Sequence, residues 1–140
     1  MLFLLDKSAH ELARRDMGAR RTFETMAITG VLATCAIVEL EILYSARNPT
    51  DHRRLKTYLR DQCVWLETSD HTLAAAVKLQ ESMLAAGMHR KPIPDLIIAA
   101  VAADHDAVLV HHDHDFDDIA VVAPDLRTRW ITPPGKSPGR

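Results

Sequence analysis

Residues 107 to 120 read AVLVHHDHDFDDIA, with three histidines and four aspartates crowded behind an apolar run. Side chains of these types can do two kinds of chemistry. Imidazoles joined by a carboxylate hold zinc, whereas carboxylates alone hold a harder ion such as Mg2+ and suit phosphoryl transfer. Which applies depends on what the rest of the chain brings to the same place.

More carboxylates recur at positions that a fold could gather. Asp6 directly follows the apolar run LFLL at 2–5. Glu39 and Glu41 fall in the first turns of a helical pattern, and Asp95 opens an apolar one. Asp113 and Asp115 follow AVLV at 107–110. In an open parallel sheet the ligand crevice lies beyond the carboxyl ends of the strands, so four separate segments deliver acids to what can be one rim. Each acid also has an ordinary structural explanation. Asp95 complements a helix dipole, Asp6 serves as an N-cap beside Ser8, Glu39 and Glu41 solvate a helix face, and Asp117 and Asp118 sit on a loop or helix start. If the acids do meet, they cannot all stay ionised without a counter-charge. A divalent cation supplies one, Mg2+ by preference with Mn2+ as its substitute, and such a site suits phosphodiester hydrolysis through metal-activated water.

Zinc fits less well. An H-x-H-x-D-H pattern needs Asp at 116 and His at 117, where the chain has Phe116 and Asp117. An all-helical HD-type site needs further histidines on helices. His111, His112 and His114 are therefore read as exposed loop histidines.

The elements that must position these residues alternate between short apolar runs and longer helical patterns. Strands are expected at 2–5, 28–34, 64–66, 107–110 and about 128–132. Helices are expected at 8–25, from Ile37 through Leu40 to Tyr44, at 51–62, and across Leu73, Ala76, Val77, Met83 and Leu84 to near Gly87. A further helix is expected from Asp95 to about Asp104, apolar nearly all round, with Pro94 in its first turn. This alternation predicts a three-layer α/β/α domain with a mainly parallel sheet of about four or five strands. It spans residues 1–132 and leaves 133–140, rich in Pro, Gly and charge, as a flexible tail.

The 140 residues suit one domain, and 47% hydrophobic content is enough to bury a core. A net charge of −2 gives no global basic field of the kind that marks many nucleic-acid binders. Three basic clusters are nevertheless compatible with RNA: Arg14, Arg15, Arg20 and Arg21; Arg53, Arg54, Lys56 and Arg60; and Arg90 with Lys91. Two cysteines, Cys35 and Cys63, are too few for a disulfide framework, so a reduced cytoplasmic protein is expected. MLFLL lacks the basic lead of a signal peptide, and LIIAAVAA at 96–103 falls far short of the roughly 20 residues that span a bilayer, so no membrane association is expected.

The succession LLDKSA at 4–9, VELEILYSAR at 38–47, IPDLIIAAVA at 93–102 and HHDHDFDDIA at 111–120 resembles the PIN-domain ribonucleases, in particular the VapC toxins of toxin-antitoxin modules in their actinobacterial style. The resemblance runs in order to a closing Trp130 and the Pro133-Pro134-Gly135 segment. It implies a metal-dependent endoribonuclease leaving a 5′-phosphate and a 3′-hydroxyl, a cognate VapB-type antitoxin that blocks the site, and a homodimer. By the same resemblance Asp6 is the first metal-binding acid, and Asp95 shares the metal with it. Glu41 takes the family's glutamate position. Asp113 takes the acidic position of a T-R-D-x-D-F motif, with Asp115 its second acid, a ligand through water. Ser8 stands where many members carry a hydroxyl near the metal, and Glu39 is a helper that the register places second to Glu41. His111 and His112 depart from the usual Thr and Arg, although a protonated His112 could still meet phosphate.

Two other classes compete. A non-catalytic RNA-binding or partner-binding module would use the acids only as caps and solvated loops. A phosphohydrolase of the haloacid dehalogenase type would need a second Asp two residues after Asp6, where Ser8 stands.

Overall fold

The computed structural model describes residues 1–88 and 90–135. Its centre is a five-stranded sheet formed by β1 (Leu2–Leu5), β2 (Val31–Cys35), β3 (Val64–Leu66), β4 (Val108–His111) and β5 (Arg127–Trp130), in the order β3-β2-β1-β4-β5. Every neighbouring pair is parallel. A parallel sheet covered on both faces needs strands that are apolar throughout, which is why LFLL and VLVH are nearly continuous hydrophobic runs. Alternate residues feed two cores. Phe3, Leu5, Leu32, Val108 and Val110 pack with Ala9, Leu12 and Met26 on one face; Leu4, Ala33, Cys35 and Leu109 pack with Val38, Leu59, Met83, Ile98 and Phe116 on the other.

The first face is covered by α1 (Lys7–Arg15) and α2 (Met17–Thr29). The second is covered by α3 (Ala36–Leu43), α4 (Pro49–Gln62), α5 (Asp70–Ala85), α6 (Ile93–Asp104) and α7 (Asp115–Val122). The expected three-layer α/β/α arrangement is the one observed, and its sheet is wholly parallel. Both cysteines are free and buried. Among the described residues no helix is long and apolar enough to cross a membrane.

Several expectations need correction. The single helix at 8–25 is two helices, broken at Asp16, whose carboxylate accepts the Ala19 N–H at 2.9 Å as the N-cap of α2. Arg20 reaches back across the break to the carbonyls of Ala13 and Arg14, satisfying acceptors that the end of α1 leaves open. The strand expected from residue 28 starts at Val31, because Ile28 and Thr29 finish α2 with Ile28 84% exposed. Gly30 marks the junction: a Cβ there would lie 2.5 Å from the Met1 carbonyl oxygen and 2.7 Å from the Phe3 ring. The last strand is 127–130 rather than about 128–132, and Asp117 and Asp118 belong to α7.

Helical spacing also misidentified two buried faces. On α3 it is Val38 and Ile42 that are buried, while Leu40 and Tyr44 are exposed. On α5, Ala76 and Met83 are buried, whereas Leu73, Val77 and Leu84 face outward. Residues 136–140 of the expected tail lie outside the described residues.

Candidate active site

The order of the sheet determines where the acids gather. From β1 the chain proceeds to β2 on one side, and β4 pairs with β1 on the other, so the topological switch point lies between β1 and β4. Asp6 follows β1 there, and its N–H donates to the Val110 carbonyl of β4 at 2.9 Å. Asp6 caps α1: its Oδ2 accepts the Ser8 N–H at 3.1 Å and the Ser8 hydroxyl at 2.6 Å. The same hydroxyl oxygen accepts the His112 N–H at 3.0 Å, so one serine ties the β1–α1 turn to the β4–α7 loop. Burial holds the Asp6 carboxyl above its ordinary range despite these hydrogen bonds, which pull it down.

Asp95 lies in the first turn of α6, beside the proline in that turn, and is buried. Asp113 lies in the β4–α7 loop, where its Oδ1 accepts the Asp115 N–H at 2.9 Å, and Asp115 begins α7. One oxygen from each of Asp95, Asp113 and Asp115 lies within 4.8 Å of the others. Burial, followed by the charges of Asp6, Asp113, Asp115 and Glu41, pushes the Asp95 carboxyl from an ordinary 3.8 up to about 7. Glu41 is likewise raised, first by burial and then by Asp6, with Lys7 opposing.

The structure therefore brings Asp6, Glu41, Asp95, Asp113 and Asp115 into mutual electrostatic range, with the last three in closest approach. Asp6 lies outside that trio. Glu39 goes elsewhere, contrary to its expected role as a helper. Two residues from Glu41, it points to another side of α3, where its oxygens accept from Arg60 Nε at 3.2 Å and Nη2 at 3.1 Å. The Arg60 guanidinium also stacks on Trp65, 4.8 Å from the ring centroid.

The histidines also depart from expectation. His111 ends β4 and is fully buried rather than exposed, because its register partner Trp130 and the first-turn Phe116 close over the ring, with centroids 5.0 and 5.1 Å away. Burial pushes it down to about 4, so the ring is neutral at neutral pH, and its Nδ1 accepts the Asp113 N–H at 3.2 Å. His112 packs edge-on against Trp130, and the exposed His114 does the same. The metal-capable cluster found among the described residues consists of aspartates. A donor set made wholly of carboxylate oxygens, crowded enough to hold one member protonated near neutrality, fits a hard divalent cation and not zinc on imidazole.

Lys91 was grouped with Arg90 as a basic cluster, but its ammonium is engaged within the chain. Nζ lies 3.1 Å from Asp115 Oδ1 and 2.6 Å from Asp118 Oδ2. No local sequence pattern signals this pair.

Comparison with known proteins is consistent with this geometry. The model of the family described as PIN domain matches residues 3–122. The chain belongs to the PIN-domain family. This PIN domain is 41% identical to Ribonuclease VapC21 of Mycobacterium tuberculosis (strain H37Rv) over 134 residues, covering 95% of this chain and 96% of that protein. It is 43% identical to Ribonuclease VapC17 of the same strain over 128 residues, covering 89% and 92%. The solved structure of VapBC2 from Rickettsia felis, bound to a DNA fragment from its promoter, matches with a TM-score of 0.77 and 18% identity over 93% of this chain and 98% of that one, a likeness of fold.

Proposed function

We propose that this PIN domain is the toxin of a type II toxin-antitoxin pair: a metal-dependent endoribonuclease that hydrolyses RNA phosphodiester bonds and is held inactive by a VapB-type antitoxin. The observation that carries this reading is the Asp95 carboxyl, pushed up to about 7 among four other carboxylates at the switch point of a parallel sheet. A site built only to cap helices has no reason to concentrate like charge in this way, and the non-catalytic reading leaves it unexplained. Relatives named ribonucleases at about 40% identity across nearly the whole chain support the same conclusion.

Asp95, Asp113 and Asp115 would hold a divalent cation, Mg2+ in the cell and Mn2+ as its substitute, with Asp6 and Glu41 completing the acidic rim. When bound, such an ion supplies positive charge to phosphate oxygens and lowers the pKa of water. The chain's own contribution is placement. Ser8 fixes Asp6 and the His112 backbone, and Asp113 fixes the start of α7.

The outward Leu73 and Val77 of α5 and Ile93 of α6 line one apolar groove and support a homodimer through that face. A pocket of about 90 Å3 lined by His10, Glu11, Arg14, Ile42, Leu55 and Tyr58, next in sequence to Glu41, supports a seat for an apolar antitoxin side chain. We place the domain at residues 1–132 and the protein in the cytoplasm.

The test is cleavage of RNA by the purified full chain. EDTA should abolish it, and Mg2+ or Mn2+ should restore it with 5′-phosphate ends. Cleavage that survives complete chelation refutes the metal assignment.

A further inference from the structure

A carboxylate-rich nuclease site can hold one divalent ion or two. Two-metal sites place their ions roughly 3.5–4 Å apart and share a carboxylate between them. A second ion beside the Asp95–Asp113–Asp115 trio therefore needs one acid from inside the trio and at least one from outside it. Asp115 and Asp118 form such a pair, both facing one point from adjacent turns of α7. That point already holds a cation. Lys91 Nζ lies 3.1 Å from Asp115 Oδ1 and 2.6 Å from Asp118 Oδ2, and its side chain is only 17% exposed.

The placement is not a surface accident. Lys91 lies just before α6, two residues ahead of its start and four before Asp95, so the backbone that delivers Asp95 also delivers the ammonium. A lysine so covered, with two carboxylates within hydrogen-bond distance, does not swing freely into solvent. On the opposite rim the acids are also engaged. Asp6 Oδ2 takes both the N–H and the hydroxyl of Ser8, and the charge of Lys7 lies close enough to Glu41 to favour its ionised form.

We propose that Lys91 is a built-in second cation: its ammonium occupies the Asp115–Asp118 position that a second divalent ion would need, so the site takes one divalent ion per chain. Lys91 is thus a positioning residue, acting through Asp115. This inference rests on the metal-site reading above and adds to it a stoichiometry and the residue responsible.

The test counts Mn2+ bound to the metal-stripped full chain, by electron paramagnetic resonance of free Mn2+ with calorimetry alongside. Wild type should bind one Mn2+ per chain. Lys91→Met, which keeps the length of the side chain and removes its charge, should bind two, the second at least tenfold more tightly than any second ion on wild type. Lys91→Arg, which restores a cation, should return the count to one. Two ions on wild type overturn the proposal, and that measurement does not depend on any variant folding. One ion on both wild type and folded Lys91→Met removes Lys91 from the explanation. No ion on wild type overturns the metal reading itself, and the inference falls with it.

Discussion

Asp95→Asn isolates the electrostatic strain of the site. The carboxyl is pushed from 3.8 to about 7, first by burial and then by the four surrounding acids. A raised carboxyl in the folded state binds a proton that the unfolded chain has released, so folding gains stability at low pH and loses it as pH rises. The loss starts near 3.8, runs through the window up to about 7, and is complete above it. At about 1.36 kcal/mol per pH unit the full span corresponds to about 4 kcal/mol. Solvent at the rim screens the carboxylates, so about 2 kcal/mol is the expected cost at pH 8 without metal. Asn cannot ionise and escapes that cost. In EDTA, urea denaturation should find Asp95→Asn about 2 kcal/mol more stable than wild type at pH 8, with the gap closing towards pH 4. Excess Mg2+ should reverse the order at pH 8, since an ion at a hundred times its Kd stabilises the folded chain by about 2.7 kcal/mol. A variant that is less stable than wild type at pH 8 in EDTA, with a gap that does not change between pH 4 and 8, refutes the reasoning.

Arg60→Ala leaves the buried Glu39 carboxylate without its partner and should cost about 2 kcal/mol in urea denaturation. In the cleavage assay Glu39→Gln should lose less than about threefold while Glu41→Gln loses about tenfold or more; equal losses would reinstate Glu39 at the site. Gly30→Ala sets a methyl against the Met1 carbonyl, a backbone atom held by the Val31 N–H, and should lower stability by about 2 kcal/mol with no change in metal binding. His112→Ala should cost far less cleavage than Asp113→Ala, and the reverse order would point back to histidine ligation.

The acids were legible because each occupies a position that topology makes special: Asp6 follows a strand, Asp95 opens a buried helix, and Asp113 and Asp115 follow another strand. Their convergence needed only the rule that parallel strands end together. Contacts joining distant segments were not legible. Glu39 meets Arg60 from 21 residues away, and Lys91 meets Asp118 from 27, with nothing in either neighbourhood to announce the partner. The buried faces of α3 and α5 were misassigned for a related reason. Helical spacing shows that an apolar stripe exists, but Leu40, Tyr44, Val77 and Leu84 form a stripe that the sheet does not cover. The break at Asp16 was written in the sequence as an N-cap, with Gly18 two residues on, and was overridden by the run of helix formers on either side.

The histidine-rich loop now has a physical role that needs no metal. His111 looked exposed because loops usually are, yet β5 pairs alongside β4 and brings Trp130 directly opposite it. Neutral and enclosed, His111 takes the Asp113 N–H on Nδ1, while the next N–H, that of His112, goes to the serine that also holds Asp6. Asp113 in turn takes the Asp115 N–H. Asp6, Asp113 and Asp115 are thus held by hydrogen bonds that run through backbone amides and persist whether or not the carboxylates are compensated. Such bracing lets a protein keep like charges crowded before a cation arrives, at the cost in stability that Asp95 makes measurable. The apolar strands that bury both faces of the sheet supply the surplus against which that cost is set.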